Sequence, residues 1–95
     1  MKEIELAGAK WCVPCKNTKD NISKVAYQMG ANMTYHDLGA KEHLHRNLGD
    51  LKDRGYIMGN LVGIPMFFVD KKQIPGPTSL EMSDIYIWIT DNYST

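Results

Sequence analysis

The stretch EIELAGAKWCVPCKNTKDNISKVAYQMG, residues 3–30, decides the fold of this chain. Its first part alternates charged and apolar residues before three small ones, a pattern that predicts a short strand running into a loop. Its second part repeats Cys15, Ile22 and Met29 every seven residues, which predicts a helix with one apolar face, and Gly30 ends that helix. The stretch therefore predicts a strand that leads into a helix, with two cysteines near the junction.

The remaining elements follow along the chain outside this stretch. We predict a second strand within 32–38, a second helix with Leu44, Leu48 and Leu51 on its inner face, a buried strand at 66–69, a turn at 70–72, a short strand at 73–74 and a final helix over 79–92. The final helix opens with the capping-box spacing of Thr78 and Glu81, and an apolar face follows at Met82, Ile85, Tyr86 and Ile89.

The order of these elements is β-α-β-α-β-β-α. A parallel pair joined by a helix, then a hairpin and a terminal helix, predicts an α/β fold with a four-stranded mixed sheet flanked by helices. With 95 residues and no linker-like segment, we expect one domain over 1–95.

Composition excludes several classes of function. Eleven Lys and Arg residues balance eleven Asp and Glu residues, so we expect neither a nucleic acid nor a membrane surface as a partner. Two cysteines are too few for a disulfide scaffold. The N-terminal residues offer no continuous apolar segment for a signal peptide or a membrane span. We therefore expect a cytoplasmic protein.

The motif WCVPCK, residues 11–16, is the segment that carries chemistry. A cysteine in the first turn of a helix is held as thiolate below the free pKa of about 8.5, because unpaired amides and a partial positive charge stabilise the anion. Cysteines three positions apart on a helix have Cα atoms within the roughly 4.4–6.8 Å that a disulfide tolerates. Pro14 suits this place because the first turn needs no amide hydrogen from it.

The two cysteines are expected to have different roles. Cys15 shares the apolar face of the helix and points towards the sheet, whereas Cys12 sits at the tip. We therefore predict that Cys12 is the nucleophile, which forms a mixed disulfide, and that Cys15 is the resolving thiol. The flanking Lys10 and Lys16 are interpreted as solvated surface charges.

The motif resembles the active-site motif of the thioredoxins, with Val13 in place of their usual glycine. Two further segments are similar to that family: Gly63-Ile64-Pro65 before the apolar strand, and Gly76 after the hairpin. The resemblance implies a minimal thioredoxin fold with a cis peptide bond before Pro65, which then faces the active-site disulfide. It also implies that substrates bind to Trp11, Val13, Pro14, Ile64, Pro65 and Gly76, with the backbone of Ile64 pairing with the substrate chain.

Other positions depart from the thioredoxins. The shortened plan looks like the glutaredoxins, including the small glutaredoxin-shaped reductants of ribonucleotide reductase and the short proteins of this kind that phages encode. Leu6 stands where thioredoxins bury an aspartate that moves protons for the resolving thiol, so another group or water must do this. Met66 replaces the family's threonine, and Pro75-Gly76-Pro77 stands where glutaredoxins have Gly-Gly.

The resemblance implies a monomeric dithiol–disulfide oxidoreductase, an enzyme that reduces protein disulfides. It implies no cofactor or metal beyond the redox-active disulfide Cys12–Cys15. Its implied electron donor is an NADPH-dependent thioredoxin reductase, and ribonucleotide reductase is the family's recurring client. Two alternatives stay open: a glutaredoxin recharged by glutathione, and a redox-inert module that uses the same surface to bind a partner.

The other residue types that often mark a site are interpreted as structural. A zinc site is disfavoured, because His43 and His45 are two positions apart on a helix and cannot face one ion together. The three histidines, His36 included, are expected at the surface or at a strand end. Trp88 is expected to pack in or near the core. The methionines predicted to fill apolar faces or the glycine loop are Met29, Met33, Met58, Met66 and Met82.

Overall fold

The chain alternates strands and helices in the order that the sequence predicts. A computed structural model of the protein describes residues 3–59 and 63–93. Its elements are β1 (Ile4–Gly8), α1 (Val13–Met29), β2 (Met33–Asp37), α2 (Leu44–Asp53), β3 (Met66–Val69), β4 (Lys72–Ile74) and α3 (Met82–Tyr93), with a 3-10 turn over Lys41–His43 before α2. Within the described residues, the predicted α/β class, four-stranded sheet and three helices are confirmed.

The sheet is mixed and its strands lie in the order β2-β1-β3-β4. β1 and β2 are parallel, whereas β1 and β3 are antiparallel with Ala7 opposite Met66. β3 and β4 form an antiparallel hairpin in which Phe67 lies opposite Ile74. As a result, the ends of β1, β2 and β4 lie at the same edge of the sheet as the start of β3.

α1 has clear local causes at both of its ends. Cys12 is the N-cap residue, with extended backbone angles, and Pro14 lies in the first turn. Gly30 ends the helix at a φ of 71°, and its amide donates to the carbonyl oxygens of Ala26 and Tyr27. A glycine takes this left-handed conformation without the steric penalty of a side chain. The face buried between these ends is the predicted one: Cys15, Thr18, Ile22, Val25 and Ala26.

Apolar clusters lie on both faces of the sheet, because successive side chains of a strand point to opposite faces. The cluster under α1 and α3 contains Ile4, Leu6, Ile22, Val25, Ala26, Ile85, Trp88 and Ile89. The cluster that includes the inner face of α2 contains Ala7, Leu38, Leu48, Leu51, Tyr56, Met66 and Phe68. Trp88 is thus a packing residue, as predicted.

α3 begins later than its sequence suggests. The expected helix starts at residue 79, but Ser79 instead accepts a hydrogen bond from the amide of Glu81 at 3.1 Å and donates one to Asp84 at 2.5 Å. These contacts form a bend before the first helical residue, Met82. The predicted capping box of Thr78 and Glu81 is therefore replaced by contacts from Ser79.

The buried face of α3 is also rotated from the predicted one. Met82 and Tyr86, both expected inside, are exposed, whereas Ile85, Trp88 and Ile89 are buried. Ile85, Trp88 and Ile89 share one helix face because they are three and four positions apart, and the Trp88 ring packs against Phe67 on that face. The prediction that Met82 fills the core is wrong.

The turn between β3 and β4 is shorter than predicted. Asp70 and Lys71 both have positive φ angles, 50° and 66°, as the two central residues of a tight hairpin turn do. Lys72, expected in the turn, already pairs with Val69 in the hairpin.

Candidate active site

Cys12 and Cys15 lie where β1 leads into α1, and they form a disulfide bond. Their Cα atoms are 5.2 Å apart, within the range that the sequence spacing predicts. The sulfur of Cys12 also accepts a hydrogen bond from the backbone amide of Cys15 at 3.2 Å. One of the N-terminal amides of α1, that of Cys15, therefore faces the sulfur of Cys12.

The two cysteines differ in exposure. Cys15 is completely buried, whereas Cys12 keeps 8% of its surface exposed. Cys12 is less exposed than a tip position suggests, because its sulfur turns back over the first turn of α1 to reach Cys15. The order of exposure, with Cys15 behind Cys12, is the predicted one.

Gly8, the last residue of β1, lets the strand and the helix approach closely at Cys15. A Cβ atom on Gly8 would lie 2.9 Å from the Cβ and 3.1 Å from the sulfur of Cys15, and 2.6 Å from the hydroxyl oxygen of Tyr35. No side chain fits there without displacing these atoms. The buried sulfur and the Tyr35 hydroxyl thus border the same small space beside Gly8, an arrangement that sequence reasoning missed.

Pro65 and Gly76 lie at the same edge of the sheet as the disulfide. Continuing the β1–β3 register by one residue places Pro65 opposite Gly8, and continuing the β3–β4 register by two residues places Gly76 opposite Pro65. The peptide bond between Ile64 and Pro65 is cis, as the resemblance implies, and both residues are half-buried. Residues distant in sequence therefore meet next to the strand end that leads to Cys12.

Gly76 has a packing role in addition to its place at this edge. A Cβ atom on Gly76 would lie 2.5 Å from the ring of Phe67. The Phe67 ring packs edge-on against Trp88 at 5.3 Å, and the indole nitrogen of Trp88 donates to the carbonyl oxygen of Pro75 at 2.9 Å. These contacts fix the segment that follows β4, and they explain why a glycine stands there.

Trp11 lies on the opposite side of the disulfide, towards β2. Its indole nitrogen donates to the carbonyl oxygen of Gly39 at 2.8 Å, and the ammonium of Lys41 lies 5.8 Å from its ring centre. The side chain remains 41% exposed. Val13 and Pro14, next to Cys12, are exposed as well, Val13 to 68%. The predicted binding residues therefore lie on both sides of Cys12 rather than in one patch.

A cavity of about 350 Å³ opens beside the first turns of α1, and Tyr35 and Ala9 help to line it. The charged residues that line this cavity are Lys10, Lys16, Lys19, Asp20 and Asp37. The Lys19 ammonium lies 4.6 Å from the centre of the Tyr35 ring. Burial, and to a lesser degree the charge of Asp37, raise the pKa of Tyr35, so its hydroxyl stays protonated at neutral pH.

A polar cluster lies on the α2 side of the sheet, and sequence reasoning missed it. The carboxylate of Glu5 accepts hydrogen bonds from the Tyr56 hydroxyl and pairs with His36 at 2.9 Å, while Tyr56 and His36 are 3.3 Å apart. His36, predicted as a surface or strand-end residue, is instead half-buried in β2, because Glu5 and Tyr56 supply partners for it. The one feature of the sequence that points to this cluster is the carboxylate of Glu5, which stands between the core residues Ile4 and Leu6 of β1. His43 and His45 are exposed, as predicted.

The surroundings of the Tyr56 side chain explain why its pKa is raised. Burial first, and then the hydrogen bond to Glu5, raise the pKa of Tyr56 to about 12. The cations of Arg54 and Lys71 lie 5.9 Å and 5.7 Å from the centre of its ring. The pKa of Tyr56 is therefore set by structural contacts, on the face of the sheet opposite Leu6.

The rest of the described chain gives no sign of a metal site or a membrane helix. Among residues 3–59 and 63–93, no group of three or more histidine, cysteine, aspartate and glutamate side chains is placed to hold a metal ion. In the same ranges, no helix is long and apolar enough to cross a membrane. No protein-family model matches the chain, and comparisons with curated proteins and with solved structures give no match either.

Proposed function

We propose that the protein is a dithiol–disulfide oxidoreductase, an enzyme that reduces disulfide bonds of other proteins. The observation that carries this proposal is the placement of the Cys12–Cys15 pair at the start of α1. There the sulfur of Cys12 accepts a hydrogen bond from the backbone amide of Cys15 at 3.2 Å. Amides at a helix start stabilise a thiolate through their hydrogen bonds and partial positive charge. Such an environment favours a reactive cysteine pair.

In the proposed reaction, two electrons pass from the reduced cysteine pair to the substrate disulfide. The thiolate of Cys12 attacks one substrate sulfur and forms a mixed disulfide, and the other substrate sulfur leaves and takes a proton. The sulfur of Cys15 then loses its proton and attacks the Cys12 sulfur. The second substrate sulfur leaves and is protonated, and the Cys12–Cys15 disulfide is formed.

The exposures of the two sulfur-bearing residues support the assignment of roles. Cys15 has no exposed surface, so an incoming disulfide cannot reach it, whereas Cys12 retains 8%. A thiol-exchange reaction needs access for the attacking sulfur. Cys12 is therefore the nucleophile and Cys15 the resolving thiol in this proposal.

The surface around Cys12 supports a protein as the substrate. Trp11 and Val13 are exposed apolar side chains beside it, and Ile64, Pro65 and Gly76 belong to the same edge of the sheet by register. Apolar contacts with some backbone pairing recognise an extended chain without demanding one sequence. We include in the proposal a thioredoxin-like fold, a cytoplasmic location, and the backbone of Ile64 as the strand that pairs with the substrate.

The proposed electron donor is an NADPH-dependent thioredoxin reductase, and ribonucleotide reductase is the proposed client. The pair needs no further cofactor for the exchange itself, because the electrons reside in the two sulfurs. Glutathione is the alternative donor, and its use would make the protein a glutaredoxin in function.

A single-turnover assay tests the proposal. The pre-reduced protein is mixed with oxidised insulin, and the free thiols of insulin and the oxidation of the Cys12–Cys15 pair are measured together. We expect one insulin disulfide to be reduced for each protein oxidised. The oxidised protein is then incubated either with thioredoxin reductase plus NADPH or with glutathione plus glutathione reductase. The system that reduces the Cys12–Cys15 disulfide identifies the electron donor.

The control is the double variant Cys12→Ser/Cys15→Ser, which keeps the docking surface and lacks both thiols. Reduction of insulin by the wild type alone supports the oxidoreductase. If the reduced wild type leaves insulin disulfides intact as the double variant does, the protein is a redox-inert binding module and the proposed function is wrong.

A further inference from the structure

The resolving step of the proposed reaction poses a problem for a completely buried thiol. Cys15 has no exposed surface, and Leu6, at the position before Ala7 and Gly8, is buried and apolar. A thiol surrounded by apolar groups loses its proton less readily than one in water. Some group must therefore carry the proton from Cys15 to the solvent.

The hydroxyl of Tyr35 is the polar group placed for this transfer. Its oxygen and the sulfur of Cys15 lie 2.6 Å and 3.1 Å from one point, the position that a Cβ atom on Gly8 would occupy. The absence of a side chain on Gly8 leaves both groups bordering the same small space beside the end of β1. Tyr35 also lines the cavity beside α1, which has room for water.

We propose that Tyr35 relays the proton of Cys15 during the resolving step, an inference that rests on the proposed function. The hydroxyl oxygen accepts the thiol proton while its own proton passes to water in the cavity. The resulting hydroxyl then donates a hydrogen bond to the Cys15 thiolate, which attacks Cys12. The substrate sulfur that leaves takes a proton from water, so the number of protons balances.

Burial first, and then the charge of Asp37, favour a relay by a neutral tyrosine. The charged groups facing the cavity are Lys10, Lys16 and Lys19, opposed by Asp20 and Asp37. Because burial and Asp37 raise the pKa of Tyr35, a permanent tyrosinate at neutral pH is disfavoured. A neutral hydroxyl can still accept and donate at once, since it has one proton and two lone pairs.

A titration tests the relay without any substrate. In Cys12→Ser, Cys15 is the sole thiol of the chain, and the absorbance of its thiolate is followed against pH. Adding Tyr35→Phe removes the hydroxyl and keeps the ring. We expect the thiolate to form at a pH higher by about 1 to 2 units, because a hydrogen bond to a charged group is lost. Tyr27→Phe, at a tyrosine 87% exposed on α1, serves as the matched control and leaves the titration unchanged.

The kinetics of the two steps provide the second readout. With a peptide that carries one disulfide as substrate, Tyr35→Phe in the full cysteine pair forms the mixed disulfide at the wild-type rate and resolves it about 10- to 100-fold more slowly, in proportion to the expected shift of the thiolate titration. Circular dichroism and denaturation confirm that the variant is folded.

The outcomes separate this inference from the function it rests on. If the wild type forms and resolves the mixed disulfide and Tyr35→Phe matches it in both resolution rate and thiolate titration, the relay is overturned while the oxidoreductase stands. If the wild type forms no mixed disulfide, the proposed function fails and the relay fails with it.

Discussion

The two sulfur atoms of the disulfide differ at the scale of single residues, although only three positions separate them in sequence. Since Cys15 is buried and Cys12 is slightly exposed, their serine variants should behave differently. We expect Cys15→Ser to accumulate a covalent complex with a protein substrate, because Cys12 attacks and nothing resolves the product. Cys12→Ser should accumulate none.

Non-reducing electrophoresis and mass spectrometry of the mixtures measure this trapping. Reduction with a small thiol must release the substrate from Cys15→Ser, which shows that the link is a disulfide. Equal trapping by both variants would contradict the assignment of Cys12 as nucleophile.

Tyr56 supplies a prediction that concerns stability rather than chemistry. Its pKa is about 12 in the folded protein, compared with 10.0 ordinarily, so the neutral phenol is favoured by folding. The contribution is complete below pH 10, where the tyrosine is neutral in both states, and is lost as the pH rises from 10 to 12, because only the unfolded chain ionises there. We expect Tyr56→Phe to be less stable than the wild type by about 1–3 kcal/mol at neutral pH, and this gap to shrink between pH 10 and pH 12.

Urea denaturation across this pH range measures the gap. Tyr86→Phe, at an exposed tyrosine on α3, is the control and should track the wild type at every pH. Parallel stability curves for the wild type and Tyr56→Phe would show that folding does not raise the pKa of Tyr56.

Replacing either of two helix glycines with alanine should change the stability of the protein, but in opposite directions. Gly49 lies inside α2 and Gly30 ends α1, and neither has an atom within 4 Å of the place where a Cβ would stand. Because steric contacts are absent at both, backbone conformation alone decides the outcome. Gly49→Ala should raise the free energy of unfolding by about 1 kcal/mol, since alanine favours a helix interior.

Gly30→Ala should lower the free energy of unfolding by about 1 kcal/mol, because a left-handed φ of 71° strains a side chain. Thermal and urea denaturation of the two variants beside the wild type measure both changes. If Gly30→Ala is at least as stable as the wild type, the left-handed geometry assigned to Gly30 is wrong, and if Gly49→Ala is destabilised, the helix-propensity argument for Gly49 is wrong.

Local patterns predict much of the fold of the whole molecule. The strand before the cysteines, the face of α1 and its end at Gly30 follow from the spacing of apolar residues and one glycine, and the structure agrees. The start of α3 does not follow, because Ser79 forms hydrogen bonds that delay it. Nor does the orientation of α3, which depends on where the Trp88 ring meets Phe67. Tertiary contacts decide such details.

The candidate site shows the same division between local and distant information. The cysteine pair is predictable because its spacing, its helix position and its proline are all local. The Tyr35 hydroxyl is not, because β2 is brought beside Gly8 only by the parallel pairing of strands. The cluster of Glu5, His36 and Tyr56 likewise joins residues as far as 51 positions apart. The spacing of residues along one segment therefore predicts neither the position of the Tyr35 hydroxyl nor the cluster of Glu5, His36 and Tyr56.

The redox state of the disulfide should change the stability of the whole molecule. Closing so short a loop restricts the unfolded chain and stabilises the oxidised fold by about 2 kcal/mol. Reduction removes this restriction but frees the Cys12 sulfur to ionise and to keep the Cys15 amide as its hydrogen-bond donor. Because amides at a helix start favour a thiolate, ionisation of Cys12 stabilises the reduced fold, and we expect the difference in free energy of unfolding between the two forms to narrow as the pH rises towards the free thiol pKa of about 8.5. Denaturation of the oxidised and reduced forms at several pH values in this range measures the difference in stability. The stability of the control, Cys12→Ser/Cys15→Ser, should not change when the reductant is added. A difference that widens as the pH rises in this range would show that the start of α1 does not favour the thiolate.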